Sequence, residues 1–193
     1  MNIPNNLIIE NKRVKLELLN LENYTHLETI AQEKDLLAYS PSDISNPQKL
    51  KEYVQVAVDG YYQKVTLPFI VYDKEKQAFA GSTRFGLING KNKVLHIGWT
   101  WIGHQFQGTR LNANMKFLML QYAFETLEFE KVEFRIDERN NKSRRAVEKL
   151  RATLEGILRK DTLMKDDFRR STCCYGILKG EWPNIKATVF KDF

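Results

Sequence analysis

Residues 96 to 116, HIGWTWIGHQFQGTRLNANMK, constrain the fold of this chain more than any other stretch. An alternating strand breaks at a short polar turn holding Gly108 and resumes at once as a helix. A glycine-containing turn of that kind aims several backbone N–H groups, and the positive end of the helix dipole, at one spot. That spot suits a phosphate. Gly108 lets a ligand approach the main chain closely, and Arg110 can add charge there. The stretch matches neither Gly-x-x-x-x-Gly-Lys-Ser/Thr nor Gly-x-Gly-x-x-Gly, so a nucleoside triphosphate loop and a dinucleotide fingerprint are both set aside. An ordinary strand-to-helix connection with a convenient glycine is the plain alternative.

The flanking sequence says what surrounds this turn. Arg13 to Leu19 alternates as a strand, and Asn20 then caps a helix expected over Glu22 to Lys34. Asn46-Pro47 opens a second helix that runs to about Gln63. Strands are expected at Thr66 to Tyr72, Ala78 to Leu87 and Val94 to Ile102, the last two joined across the hairpin signal Asn89-Gly90. Leu111 to Leu127 carries one apolar stripe of Leu111, Met115, Leu118 and Tyr122 and a second of Phe117, Leu120, Phe124 and Leu127. Such a helix is buried on two sides. A strand at Lys131 to Ile136, a short helix at Asn141 to Leu150, and a final strand pair at Leu154 to Met164 and Ser171 to Lys179 complete the order. Strand, buried helix, strand is a parallel crossover and the flanking hairpins are antiparallel, which predicts a mixed sheet. No repeat or linker divides residues 1–193, and one domain is expected, large enough to bury a core without disulfides.

The start, Met1 to Asn6, has neither the basic segment nor the apolar stretch of a secretory signal, so a cytoplasmic protein is expected. No apolar run approaches a membrane span. Adjacent Cys173 and Cys174 point to opposite faces of a strand, and His26, His96 and His104 are scattered, so neither a disulfide nor a metal site is expected. A net charge of +6 favours an anionic partner: nucleic acid, a phosphorylated cofactor or an acidic membrane surface.

Read together, Gly98-Trp99-Thr100-Trp101-Ile102, Gln107-Gly108-Thr109 with Leu111-Asn112, Asn140-x-x-Ser143-Arg144-Arg145-Ala146, Glu155-Gly156 and Glu181-Trp182-Pro183 give the chain a family likeness. From about Lys12 to Pro183 it resembles the GNAT superfamily of N-acetyltransferases, in the branch similar to enzymes that acetylate ribosomal-protein N-terminal alanine or serine. The resemblance implies an α/β (α+β) fold with a mixed, mostly antiparallel sheet of about seven strands, splayed centrally, with helices on both faces. It implies acetyl-CoA as cosubstrate and no metal. The splayed strand would bind the pantetheine arm through main-chain groups at Thr100, Trp101 and Ile102. The turn would bind the pyrophosphate through Gln107, Gly108, Thr109, Arg110, Leu111 and Asn112. Asn140 would contact pantetheine, Ser143 would sit near the sulfur, and Arg144 near the phosphates. Arg110 and Arg151 stand where the family has glycine; if position 110 needs positive φ, arginine there costs roughly 1 kcal/mol or more.

Acetyl transfer from a thioester needs an unprotonated amine, a polarised carbonyl and a stabilised thiolate, with much of the rate coming from positioning. The expected donors are a backbone N–H near Trp101 or Ile102 for the carbonyl and the Ser143 hydroxyl for the thiolate, which could instead cap the helix from Asn141. His96 is the candidate base, with Asp161 or a water chain as alternatives, and Trp99 and Trp101 either line an acceptor cleft or pack as core. The leading reading is direct transfer through a ternary complex to a primary amine, on a protein N-terminus or a small molecule. An inactive CoA-binding relative is the rival suggested by Arg110 and Arg151. A ribosome- or RNA-associated module ranks last, because no aromatic-basic stacking pattern is visible. A homodimer stays open, and the sequence does not identify the acceptor.

Overall fold

The computed structural model describes residues 3, 4 and 6–193, so the reading of the amino-terminal stretch falls in part on residues 1, 2 and 5, outside the described residues. The chain runs β1 (Ile8–Glu10), β2 (Val14–Leu18), a 3-10 turn at Tyr24–Leu27, α1 (Glu28–Ala31), α2 (Pro47–Tyr62), β3 (Leu67–Asp73), β4 (Ala78–Asn89) and β5 (Val94–Ile102). It continues with α3 (Leu111–Gln121), β6 (Lys131–Asp137), α4 (Asn141–Lys149), β7 (Thr153–Leu163), β8 (Arg169–Leu178) and α5 (Trp182–Thr188). The strands form one sheet in the order β1-β2-β3-β4-β5-β6-β8-β7, mixed and mostly antiparallel. It has eight strands where about seven were expected; β1, three residues paired with Lys15 to Glu17 of β2, is the addition.

Local chemistry sets the helix ends. The Asn46 side chain accepts the Lys49 N–H and Pro47 fills the first turn, so α2 begins where expected. The helix expected over Glu22 to Lys34 is instead broken into a 3-10 turn and the single turn of α1. Asn20 and Asn23 side chains there accept N–H groups of their neighbours, stabilising turns in place of a helical ladder. α3 passes into a π-helical turn at Tyr122–Thr126, and its buried run Met115 to Leu120 packs on both sides as the two stripes require.

Alternation along the strands assigns the two faces. Thr83 Oγ1 meets Met119 of α3, whereas the neighbouring Arg84 lies against Tyr53 of α2, so α2 and α3 cover opposite faces. Tyr175 binds Arg144 and Glu148 of α4 and pairs with Phe134. Register then carries that face through Val132 to Leu95, two positions from Ile97, which pairs with Phe85 on the Thr83 face. Helices α3 and α4 therefore share a face, with the fork described next between them.

Candidate active site

Strands β5 and β6 are parallel neighbours for only three residue pairs: Val94 with Lys131, Leu95 with Val132 and His96 with Glu133. Beyond His96 they part. β5 stays paired with β4 as far as Ile102, while β6 stays paired with β8 as far as Asp137. The open edge of β5 is thus turned toward a fork that β6 no longer closes. Gly103 N–H donates to Ala80 O, so alternation directs Trp101 toward β4 and Ile102 toward the fork. Of the two candidate main-chain donors, Ile102 is the one whose N–H faces the open side. Its carbonyl accepts from the Gln107 side chain at 2.9 Å.

The turn after β5, expected from sequence to offer its N–H groups to a phosphate, has two left-handed positions, and its Gln107 N–H is bonded to His104 O. Gly108 has φ +76° and Arg110 φ +66°, the latter as the residue immediately before α3. Arginine in that left-handed position carries the strain anticipated from its side chain, and its guanidinium lies 5.1 Å from the Phe193 ring. Arg151 likewise has φ +65°. It closes α4 with Arg151 N–H to Glu148 O and Ala152 N–H to Val147 O, a Schellman ending that ordinarily takes glycine. Thr109 Oγ1 donates to Phe106 O and fixes the turn.

Across the fork, Asn140 caps α4 by accepting the Ser143 N–H at 3.0 Å. The cap belongs to Asn140, and the half-buried Ser143 hydroxyl is left out of it. Lys142 of α4 reaches Gln107, a contact that spans the mouth of the fork. Arg144 is occupied elsewhere: its Nε donates to the Tyr175 hydroxyl at 3.1 Å and its Nη1 to Glu138 O. Arg145, Lys149 and Arg151 instead line an open groove of about 610 Å3 beside Thr188 and Val189.

His96 stands at the point of divergence. It is 6% exposed, and its Nε2 accepts the Arg135 N–H at 3.2 Å, which leaves the ring proton on Nδ1. A Cβ on Gly98 would stand 2.8 Å from that Nε2, so glycine there makes room for the ring. Desolvation, followed by the charges of Arg135, Lys116 and Arg170, holds its pKa down to about 3. Burial, an engaged Nε2 and low basicity do not suit the proton-accepting role expected from sequence. The residue that sequence reasoning passed over is Lys116, buried within the apolar run of α3. Its Nζ donates to Thr100 Oγ1 at 3.0 Å, Thr100 Oγ1 lies 2.7 Å from Thr83 Oγ1, and burial lowers the lysine pKa to about 7. The signal available was a lone cation among Met115, Phe117, Leu118, Met119 and Leu120.

Trp101 is buried, as its plain core reading expects, with its ring 6.5 Å from that of Tyr53. Trp99 occupies a bulge with φ +49°, and its carbonyl accepts from the Tyr53 hydroxyl.

Comparison with known proteins follows the same lines. A family model described as acetyltransferase (GNAT) domain matches residues 13–153. Among solved structures, a GCN5-related N-acetyltransferase from Brucella melitensis is 26% identical, with TM-score 0.85 over 97% of this chain and 86% of that one. The ribosomal-protein-S5-alanine acetyltransferase from Vibrio fischeri, 15% identical, superposes with TM-score 0.74 over 91% of this chain and 98% of its own. The microcin C7 self-immunity acetyltransferase MccE, solved with acetyl-CoA and AMP, is 19% identical with TM-score 0.77 over 87% and 93%. The last two share the fold. No curated protein matches the chain.

Proposed function

The chain belongs to the acetyltransferase (GNAT) domain family, and on that footing we propose that it is an acetyl-CoA-dependent N-acetyltransferase acting on a primary amine by direct transfer in a ternary complex, in the cytoplasm. The observation that carries the reading is the parting of β5 from β6 after three pairs, next to a left-handed turn that opens α3. Exposed strand edge and unbonded helix N–H groups fit the two halves of such a cosubstrate: an extended amide-bearing arm and a diphosphate. The similarity in fold to MccE, which was solved with acetyl-CoA, supports the same assignment.

Bound in the fork, acetyl-CoA would supply the acetyl thioester. Main-chain groups of Thr100 and Ile102 hold the arm, and the N–H groups of Gly108 to Asn112 face the diphosphate, that of Gln107 being already bonded to His104 O, with Arg110 and Lys142 adding charge. Ile102 N–H polarises the carbonyl, and the Ser143 hydroxyl, free of capping, donates to the leaving sulfur. Asn140 acts by holding α4 at its edge of the fork. His96 we assign a positioning role: its imidazole accepts the Arg135 N–H where the β5 main chain has turned away, and so fixes the angle of divergence. Lys116, through Thr100, is the fork group whose basicity lies near neutrality, and it takes up the proton that the amine loses.

Calorimetric titration with CoA, together with thiol release from acetyl-CoA in the presence of a panel of amines, tests the reading. Binding with amine-dependent release is expected. Absence of CoA binding at roughly millimolar ligand overturns it. Tight binding with no transfer to any amine would favour the inactive relative that Arg110 and Arg151 suggested.

A further inference from the structure

Seven buried side-chain polar atoms among the described residues have no hydrogen-bond partner, and they belong to only six residues: Ser82, Arg84, His96, Trp101, Arg170 and Thr172. All six side chains lie on one face of the sheet. Ser82 pairs with Trp101, Arg84 pairs with Gly98, and His96 precedes Gly98 by two, so these share the face covered by α2. His96 pairs with Glu133, which leads by alternation to Asp137 and its partner Thr172, and so to Arg170. Unsatisfied groups are therefore gathered on both sides of the fork, on the face away from α3 and α4.

Their chemistry is one-sided. Arg84 Nε and Nη2, Arg170 Nε, Trp101 Nε1 and the protonated His96 Nδ1 can only donate, and the Ser82 and Thr172 hydroxyls can do so. Arg84 is 3% exposed, and among the described residues no carboxylate forms an ion pair with it. Its guanidinium lies 4.5 Å from the Tyr53 ring and 5.0 Å from the Trp99 ring, contacts with aromatic faces that leave its Nε and Nη2 donors unused. A buried guanidinium whose Nε and Nη2 find no acceptor costs free energy, and such a group beside the fork marks a place where a ligand can supply what the fold withholds. Trp99, held at φ +49° against it, keeps that cover in place.

We propose that the acceptor amine carries an anionic group, a carboxylate or a phosphate, and that Arg84 receives this group on the α2 face. The proposal deepens the acetyltransferase reading and rests on it. It makes the substrate class amino acids, peptides presenting a nearby carboxylate, or phosphorylated amines. Polyamines and aminoglycosides, which bring only positive charge, are disfavoured by the unpartnered Arg84 cation and the donors around it.

Matched amines test it in the thiol-release assay: glycine against glycinamide, and phosphoethanolamine against ethanolamine. The anionic member of at least one pair is expected to have kcat/KM about tenfold or more above its neutral partner, the pair concerned telling carboxylate from phosphate. Arg84→Met should bring that ratio near one, and Arg84→Lys should keep part of it. A second measurement does not need turnover: Trp99 and Trp101 flank the site, so acetate and inorganic phosphate are titrated into the protein, with and without CoA, while tryptophan fluorescence is followed. A saturable change that Arg84→Met abolishes supports the proposal, even where none of the four amines is acetylated. Equal use or preference for neutral amines or spermidine overturns it, as does a fluorescence response that is absent at roughly 50 mM anion or unchanged in Arg84→Met. Absence of CoA binding alongside an Arg84-dependent anion response would instead defeat the acetyltransferase reading alone.

Discussion

Replacing Lys116 with methionine should stabilise the protein near neutral pH and lose that benefit in alkali. The lysine is 7% exposed, and its amine has one hydrogen-bonding partner, Thr100 Oγ1. Burial lowers its pKa from 10.5 to about 7. Each pKa unit corresponds to about 1.4 kcal/mol, so keeping the ammonium in the fold costs on the order of 5 kcal/mol below about pH 7. Between there and pH 10.5 the unfolded chain holds a proton that the folded chain does not, so stability rises with pH; above 10.5 the cost is gone. Methionine has similar length and no charge. Removing the contact to Thr100 forfeits about 1 kcal/mol, since Thr100 keeps its bond to Thr83. A net gain of roughly 3 to 4 kcal/mol is expected at pH 6, falling to zero or a small loss by pH 10.5. Urea unfolding of both proteins at pH 6, 8 and 10 measures the difference. A Lys116→Met protein that is destabilised by the same amount at every pH would refute the argument, because the lysine would then be contributing packing or a compensated charge.

Three further outcomes follow from the site. Arg110→Gly should raise stability by about 1 kcal/mol, or a few degrees in melting temperature, by relieving the φ of +66°, less what the ring of Phe193 returned to the arginine; calorimetry with no upward shift would argue against strain there. Ser143→Ala should lower kcat by about 10- to 100-fold with little change in CoA affinity, measured by steady-state thiol release and titration. His96, with a folded pKa near 3 against 6.5 when unfolded, adds steepness to acid unfolding: stability is full above pH 6.5 and declines as pH falls toward 3, and His96→Gln should flatten that limb in an acid titration followed by circular dichroism.

Much of this molecule is legible in its sequence. Val94 to Ile102 reads as a strand with its observed bounds because period-two alternation and the Asn89-Gly90 turn agree, and Leu111 begins a helix buried on two sides because two apolar stripes leave no polar face. Family likeness marks position 110 as one where glycine is usual, and the observed φ of +66° there is what glycine would accommodate. Other features were hidden for stateable reasons. β1 is too short to show a period, and α5 begins at Trp182-Pro183, a pair that reads more readily as a loop. The broken first helix turns on side-chain bonds by Asn20 and Asn23 that compete with the backbone. Arg84 sits in a strand whose alternation cannot tell a buried face from an exposed one without the partner helix. His96 looked like a base because its ordinary pKa suits one; burial reverses that, and burial is a tertiary property.

The account depends on the open edge of β5 receiving the cosubstrate's arm. Amide hydrogen exchange across residues 97–102, with and without acetyl-CoA, tests this most directly. The amide of Ile102, directed into the fork, should become markedly slower to exchange when acetyl-CoA is bound, while Trp101, paired with Ser82 of β4, should change little. Acetyl-CoA binding that leaves Ile102 exchange unaltered would contradict the account.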